Sequence, residues 1–193
     1  ERMESQLLPG FKYQFSELEK RYIEAKDNVK FLTTLERHFK HITNGTLVQI
    51  LDTLPSMMNA LRMVWVISRH YKEDHRMEPL MARIAWEVAN RVSTMINMRT
   101  IFREPAARTI KLITEAQAVL QKWESTYMTM RQMIEDSGRD NRWEFDRNKL
   151  FARTRYMAQR CGDLLFVADM LREMRAMLGP ELKAVTGDAK GID

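Results

Sequence analysis

Apolar residues recur every three or four positions from residue 11 to residue 42. This alternation of threes and fours is the period of an α-helix, and it lasts for about eight turns. We therefore expect one long helix whose apolar stripe, including Phe15, Tyr22 and Val29, points inward. The stripe consists of Phe11, Phe15, Leu18, Tyr22, Ala25, Val29, Leu32, Leu35 or Phe39, and Ile42.

The stretch "ALRMVWVISRHY", residues 60–71, is strongly apolar but does not alternate as a half-buried strand would. We expect it to belong to a helix over residues 56–71. Placed at 100° intervals, its apolar residues cover an arc of about 200°, which predicts contact with at least two neighbouring helices. Arg62 and Arg69 fall together on the opposite side.

The remaining helices follow the same period. In the fourth of the long helices, Leu120, Trp123 and Tyr127 are expected to point inward. No convincing strand remains, so the expected fold class is all-α. Helices of about 30 residues exceed the usual length of ~11–12, so we expect an elongated antiparallel bundle of long helices, and paired long helices resemble one unit of a larger helical-bundle array. The expected bounds are 46–54 ending before Pro55, Pro79 to about Arg103, 106 to the "EDSGRDN" break, and Asp146 to Leu178, stopping at Gly179-Pro180.

The composition is that of a folded protein, with 45% hydrophobic and 30% charged residues. No apolar run approaches the ~20 residues that a membrane-spanning helix needs, so we expect no membrane partner. A single cysteine, Cys161, forbids an internal disulfide and is typical of a reducing compartment.

The sequence contains no recognisable catalytic or cofactor motif. The seven glycines form neither of the phosphate-binding loop patterns, so no cofactor is expected. His38 and His41 have a spacing that could reach one metal ion, but no further ligands accompany them, and we expect an exposed pair near a helix end. Cys161 lies on the apolar face of its helix, where a cysteine packs as a small hydrophobe.

The net charge of +5 is concentrated in residues 139–160, which hold seven basic and three acidic residues. Trp143, Phe145, Phe151 and Tyr156 are interspersed there, a composition compatible with nucleic-acid binding. The interspersed acids argue against that function because each one offsets attraction to phosphate. The other interpretation is a helix start whose aromatics pack inward and whose arginines pair with neighbours or with a partner protein.

Four stretches of the sequence resemble a known family. They are similar to the N-terminal tail of dynein heavy chains, and in particular to the axonemal, outer-arm type. The stretches span nearly the whole chain in the order found in that family. They are "DNVKFLTTLERHFKHI" (27–42), "ALRMVWVISRHY" followed by "RMEPLMARIAWEVANRV" (60–92), "WEFDRNKLF" (143–151) and "GPELKAVTGD" (179–188).

The resemblance implies a non-catalytic role. In dyneins the ATPase ring and the microtubule-binding stalk lie far downstream, so the segment itself would not be an enzyme although its parent chain would be a microtubule-motor ATPase. The implied location is the axoneme of a cilium or flagellum, within the cytoskeleton. The implied partners are other dynein heavy chains, intermediate and light chains, and axonemal docking proteins or the doublet microtubule through the complex.

The resemblance also implies a domain organisation. Residues 1–193 would be a fragment of a heavy-chain tail, with a first helical group over 11–103 and a second over 106–179. Residues 180–193 would link to the next bundle. The start at Glu1 and the end in "TGDAKGID" likewise lead us to expect a piece of a longer protein.

Outward-facing arginines are the candidate partner-interface residues. They are expected to contact a neighbouring heavy chain or an intermediate chain. A basic all-α nucleic-acid-binding module or a generic adaptor remains the alternative function. The candidates are Arg62, Arg69, Arg147, Arg153, Arg155 and Arg160.

Overall fold

The computed structural model describes the backbone of residues 2–138 and 143–186, and the side chains of residues 8–138 and 143–179. Five helices and one short 3-10 turn, with no strand, make up this described part, which confirms the all-α fold class. The helices are α1 (Arg2–Asn44), α2 (Leu47–Ile67), α3 (Asp74–Met95), α4 (Ala106–Asp136) and α5 (Arg147–Thr186), and the turn spans Ile101–Arg103.

A tight turn at Gly45 folds α2 back against α1. A Cβ atom at Gly45 would lie 2.3 Å from the backbone oxygen of His41, so only glycine fits there. The next residue, Thr46, caps α2: its hydroxyl accepts the Gln49 N–H while the Gln49 side chain accepts the Thr46 N–H, at 3.3 and 2.9 Å. This capping box fixes the point at which the second helix begins.

Helices α1 and α3 run in the same direction. Arg76, in the first turn of α3, forms an ion pair with Glu24 of α1. Near the other end of α3, the Arg91 guanidinium donates to the carbonyls of Gly45 and Asn44, at 3.0 and 3.3 Å from Nη2. The two contacts fix the register of α3 along the second half of α1.

Helix α5 runs in the same direction as α3. Lys149, at its start, lies 2.9 Å from Glu78, and Arg175 donates to the carbonyl of Phe102 at 2.9 Å. Successive helices therefore alternate in direction, as the antiparallel bundle predicts. Helices α1, α3 and α5 point one way, and α2 and α4 point the other way.

One continuous core fills the space between the helices, with α4 at its centre. Helix α4 packs against α2, α3 and α5, and Leu120, Trp123 and Tyr127 are fully buried on it, which confirms the inward face expected there. The Trp123 Nε1–H group also donates to the carbonyl of Leu150 on α5 at 3.4 Å. Residues of the two expected helical groups share this core, while the division at residues 103–106 stays a prediction.

Helix α2 differs from its expected bounds. It is one helix that passes through Pro55, so the expected break between residues 46–54 and 56–71 was wrong. Leu54 and Met57, on either side of the proline, are fully buried, and this packing holds the helix together. The helix ends at Ile67, where the Ser68 hydroxyl accepts the N–H groups of His70 and Tyr71 and so turns the chain.

Two other helix bounds also differ. Helix α3 begins at Asp74, five residues before Pro79, and ends at Met95 rather than near Arg103. Helix α5 continues past Gly179-Pro180 to Thr186, so the expected end at Leu178 was wrong. Residues 187–193, in the expected linker, lie outside the described part of the chain, and the linker stays a prediction.

The second half of α1 packs on the bundle through what we call the inner stripe. Its members recur every three or four positions, and they become more buried toward the C-terminal end of the helix. Leu35 and Ile42 are buried to at least 99%. The inner stripe consists of Glu24, Asn28, Phe31, Leu35, His38 and Ile42.

The first half of α1 extends beyond the bundle. Residues 8–23, which we call the overhang, are exposed except for the half-buried Glu17. A row of apolar residues runs along the overhang and continues through Ala25 and Val29, and we call it the outer stripe. Phe15, Tyr22 and Val29 in this stripe are 58%, 65% and 66% exposed. The inward orientation expected for these three residues was therefore wrong. The outer stripe consists of Leu8, Phe11, Phe15, Leu18, Tyr22, Ala25 and Val29.

The two stripes lie on different sides of α1. Asn28 and Val29 are neighbours in sequence, so the stripes are about 100° apart around the helix. Followed back into the overhang, the inner stripe would continue through Arg21, Glu17 and Gln14, which are polar. The apolar side of the overhang is thus not a continuation of the side that packs on the bundle.

Candidate interaction surfaces

The six candidate arginines do not form one site. Arg62 is half-buried on α2, where its Nε and Nη2 atoms donate to the Asn59 side-chain oxygen at 3.1 and 2.9 Å. Arg69 is exposed in the loop after α2. The other four lie on α5, which packs against α3 and α4 on another part of the bundle.

Arg155 is engaged by a neighbouring helix. Its guanidinium forms a two-point ion pair with Glu124 of α4, with 2.8 Å between Nε and Oε2. The hydrogen bond from Arg155 lowers the pKa of the Glu124 carboxyl below its ordinary value, and the same bond raises the pKa of Arg155. Because the pair joins α4 to α5, its first role is to fix the register of those helices.

Arg147 and Arg160 have local acidic neighbours. The Arg147 guanidinium lies 3.6 Å from the Glu144 carboxylate, and that of Arg160 lies 3.1 Å from Asp163. Arg160 also lies 5.3 Å from the centre of the exposed Tyr156 ring. Such exposed ion pairs exchange readily with a partner because they contribute little stability.

Arg153 belongs to a surface that sequence reasoning missed. Its guanidinium carbon lies 5.7 Å from the centre of the Trp86 ring on α3, and that of Arg83 lies 4.5 Å from the same ring. Trp86 remains 37% exposed. We call Arg83, Trp86 and Arg153 the arginine–tryptophan stack. In the sequence, the only sign of this stack was that Trp86 lies outside the apolar face of α3.

The aromatic residues of the basic segment face the interior. Trp143, Phe145 and Phe151 are at most 4% exposed, and their rings pack around Tyr127. Trp65 packs in turn on Trp143 and Phe145. Of the four aromatic residues noted in this segment, only Tyr156 is exposed. The structure thus supports the interpretation in which these aromatics pack inward and arginines pair with their neighbours.

Tyr127 ties this aromatic cluster to the backbone. Its hydroxyl donates to the Trp143 carbonyl at 3.4 Å and accepts the Phe145 N–H at 3.2 Å. Burial raises the pKa of Tyr127, and the Phe145 N–H opposes that shift. The hydroxyl therefore stays protonated and keeps residues 143–145 against the core.

His38 is buried rather than exposed, which corrects the expected exposed pair with His41. Its Nε2 atom accepts from Arg37 Nε at 3.3 Å, so Nδ1 carries the proton and lies 3.4 Å from the Ser56 hydroxyl. Burial, then Arg37 and His41, lower the pKa of His38. Across residues 8–138 and 143–179, no group of three or more potential metal ligands occurs.

Cys161 packs in the core, as expected. It is 3% exposed, and burial raises the pKa of its thiol. A thiol in this state is a poor nucleophile because the reactive form is the thiolate. Within the described helices, none is long and apolar enough to cross a membrane.

Residues 1–191 match a family model described as dynein heavy chain, N-terminal region 1. The chain belongs to this dynein heavy-chain family. It is 56% identical over 187 residues to the Dynein-1-alpha heavy chain, flagellar inner arm I1 complex, of Chlamydomonas reinhardtii, and 53% identical over 191 residues to Dynein axonemal heavy chain 10 of Homo sapiens. These alignments cover 97% and 98% of the chain, but 4% of each relative.

The comparison confirms the resemblance to the N-terminal region of dynein heavy chains but not the outer-arm class. The Dynein beta chain, flagellar outer arm, of Chlamydomonas reinhardtii is 24% identical over 190 residues, across 95% of the chain and 4% of that relative. This identity is less than half of that to the inner-arm I1 relative. The names of the matched dynein heavy chains are axonemal and flagellar, in agreement with the expected axonemal location.

Proposed function

We propose that this chain is a non-catalytic structural and assembly segment in the tail of an axonemal dynein heavy chain of the inner-arm I1 type. One observation carries the proposal: residues 1–191 match the N-terminal region of dynein heavy chains. The two relatives above 50% identity carry an inner-arm I1 name and an axonemal name. The location in the proposal is therefore the axoneme of a cilium or flagellum.

The packing supports a structural role. Ion pairs join α1 to α3 through Glu24, α3 to α5 through Glu78, and α4 to α5 through Glu124. Each pair lies outside the core and joins two different helices. Together with the continuous core, they hold the second half of α1 and the other helices in one register.

The assembly part of the proposal concerns the partners. They are another dynein heavy chain, intermediate and light chains, and axonemal docking proteins or the doublet microtubule through the complex. The arginine–tryptophan stack is the surface that we assign to such a contact, because arginine and tryptophan are enriched among residues that dominate binding energy. Arg153 contributes a cation there, and Glu87 lies 2.6 Å from Arg83.

A pull-down with purified partners tests the assembly role. The chain is immobilised and exposed separately to a purified intermediate chain and to a second heavy-chain tail. We expect capture of at least one of them, weakened by Arg153→Gln combined with Trp86→Ala. Arg172→Gln is the control for the arginine change, since Arg172 is another exposed arginine of α5, although it pairs with Asp169. Capture of neither protein would remove the assembly half of the proposal.

The rival nucleic-acid function has less support. Single-stranded nucleic acids bind on exposed aromatic rings within basic grooves, whereas Trp143, Phe145 and Phe151 are buried. A nucleic-acid-binding module would bind DNA or RNA with an affinity that falls steeply with salt. A filter-binding titration over a range of salt concentrations separates the two functions.

A further inference from the structure

We propose that the outer stripe of α1 is the docking site for a separate amphipathic helix, from outside residues 1–193, whose apolar residues are flanked by acidic ones. The proposal goes beyond the structural role and concerns a surface that the bundle leaves uncovered. Phe11, Leu18 and Tyr22 on this stripe are each at least 65% exposed. Their side chains therefore meet solvent in the isolated chain.

The spacing of the outer stripe is that of a helix–helix seam. From Leu8 to Val29 its members alternate by three and four residues without interruption, so they occupy the two apolar positions of a heptad. A stripe limited to these two positions is narrow and suits one neighbouring helix. Its span of 22 residues in the sequence corresponds to a seam of about 32 Å.

The bundle itself does not cover this stripe. The inner stripe, about 100° away, makes the contacts with α2 and α3, and Glu24 and Asp27 face Arg76 and His70 there. The overhang is polar on the side that would continue the inner stripe. An apolar stripe on a different side of the helix therefore has a different neighbour.

Charge identifies the kind of helix that fits. The positions that flank a heptad seam carry Lys12, Arg21 and Lys26 against the single acid Glu19. Within the described part of the chain, these three cations have no ion-pair partner, whereas Lys20, on the far side, pairs with Glu17 at 2.9 Å. Flanking cations favour a partner with glutamate or aspartate at the facing positions.

The same charges disfavour a second copy of this chain. In a parallel pair of α1 helices, a flanking residue faces the residue five positions further along the partner. Arg21 of one copy would then face Lys26 of the other, and like charges repel. The overhang also carries Glu17 and Glu19, which weakens attraction to an anionic membrane surface.

Two designed peptides test the proposal. Each contains four heptads with leucine at both apolar positions, and the flanking positions are all glutamate in the acidic peptide and all lysine in the basic peptide. Fluorescence anisotropy of each labelled peptide is measured against the 193-residue chain at low and high salt. We expect the acidic peptide to bind saturably, with an affinity that falls as salt screens the flanking charges.

Matched variants locate the binding surface. Tyr22→Gln changes the outer stripe, whereas Tyr13→Gln changes an equally exposed tyrosine (68% against 65%) outside it. We expect Tyr22→Gln to weaken acidic-peptide binding by about tenfold or more and Tyr13→Gln to leave it unchanged. Circular dichroism identical to that of the parent chain shows that both variants are folded.

Four outcomes of the binding and association measurements would overturn the proposal. They are failure of the acidic peptide to bind, equal binding of the basic peptide, a chain dimer in sedimentation equilibrium that Tyr22→Gln dissociates, and binding to phosphatidylserine vesicles that Tyr22→Gln abolishes. The last two would identify a second copy or a membrane as the occupant. Equal effects of Tyr13→Gln and Tyr22→Gln would also overturn it, because the stripe would then have no special role.

Discussion

The two halves of α1 share one helical period but have opposite surroundings. In the second half, Leu35 and Ile42 are buried in the core, while in the first half Phe11 and Tyr22 are about two-thirds exposed. The second half of α1 packs against the other helices of the bundle, whereas the first half extends beyond the bundle. The difference shows that helical periodicity identifies an apolar face but does not identify its neighbour.

The largest expected effect separates the core from the overhang. Trp123→Ala should lower the free energy of unfolding by about 3–5 kcal/mol, because it removes a fully buried ring and leaves a cavity. Phe15→Ala, in the overhang, should change it by less than about 0.5 kcal/mol. Urea denaturation of both variants measures the difference, and equal losses would mean that the overhang packs on the bundle.

Two glycines, Gly10 inside α1 and Gly45 in the turn directly after it, extend the comparison to the backbone. Gly45→Ala should cost about 1–3 kcal/mol because its Cβ would collide with the His41 carbonyl. Gly10→Ala has open space around the added Cβ, and it should increase helicity in the overhang since alanine favours a helix by about 0.5–1 kcal/mol. Urea denaturation and circular dichroism report the two effects, and a destabilising Gly10→Ala would contradict an open overhang.

The pH dependence of stability distinguishes two histidines of the second half of α1. Because the pKa of His38 is lowered in the folded chain, His38 is still neutral there at pH values just below its ordinary pKa of about 6.5. In the unfolded chain, His38 takes up a proton at those pH values. Stability should therefore fall as pH drops from about 6.5 through the lowered pKa, by at most about 1.4 kcal/mol per pH unit.

His41 supplies the control for that measurement. His38→Gln should remove this part of the pH dependence. His41→Gln, at an exposed position of the same helix, should keep most of it, because burial is a larger cause of the lowered His38 pKa than His41 is. Urea denaturation at pH 7.5 and at pH 5.5 compares the variants. If His41→Gln instead of His38→Gln removed the pH dependence of stability, the prediction that the buried His38 causes it would be wrong.

The smallest expected effect concerns ion pairs. A double-mutant cycle of Glu124→Gln and Arg155→Gln should give a coupling of about 0.2–1 kcal/mol, since both side chains are partly exposed. Because the pKa of Glu124 is lowered, this coupling is present above its ordinary pKa and is lost as pH falls through the lowered value. The Lys20–Glu17 pair of the overhang should show a smaller coupling energy than the Glu124–Arg155 pair. A larger coupling energy for Lys20–Glu17 would contradict this expected order.

Helix α4 shows what the sequence could predict. It carries one apolar stripe, and nearly all of that stripe is covered by neighbours, so Leu120, Trp123 and Tyr127 were assigned correctly. Helix α1 carries two apolar stripes about 100° apart. The helical period alone does not show which of the two stripes packs on the bundle. The polar residues Gln14, Glu17 and Arg21 were the available signal, because they end the inner stripe before the overhang.

Other features depended on tertiary contacts that one sequence does not contain. Pro55 remains inside a helix because buried neighbours on both sides hold it there. The arginine–tryptophan stack requires Arg153 and Trp86 to meet across two helices, and their separation in sequence gives no sign of this. The general basic character of residues 139–160 was visible, but the inward orientation of its aromatics remained one of two alternatives.

The odd number of helices in the described part of the chain has a mechanical consequence. With five alternating helices, α1 enters the bundle at one end and α5 leaves it at the opposite end, whereas four or six would return the chain to its starting side. A bundle with an odd number of alternating helices therefore carries the polypeptide from one end of the bundle to the other, over the length of the bundle. Tension applied between its two ends loads the helix interfaces in shear, so that many side-chain contacts along α1, α3 and α5 resist together instead of separating one at a time.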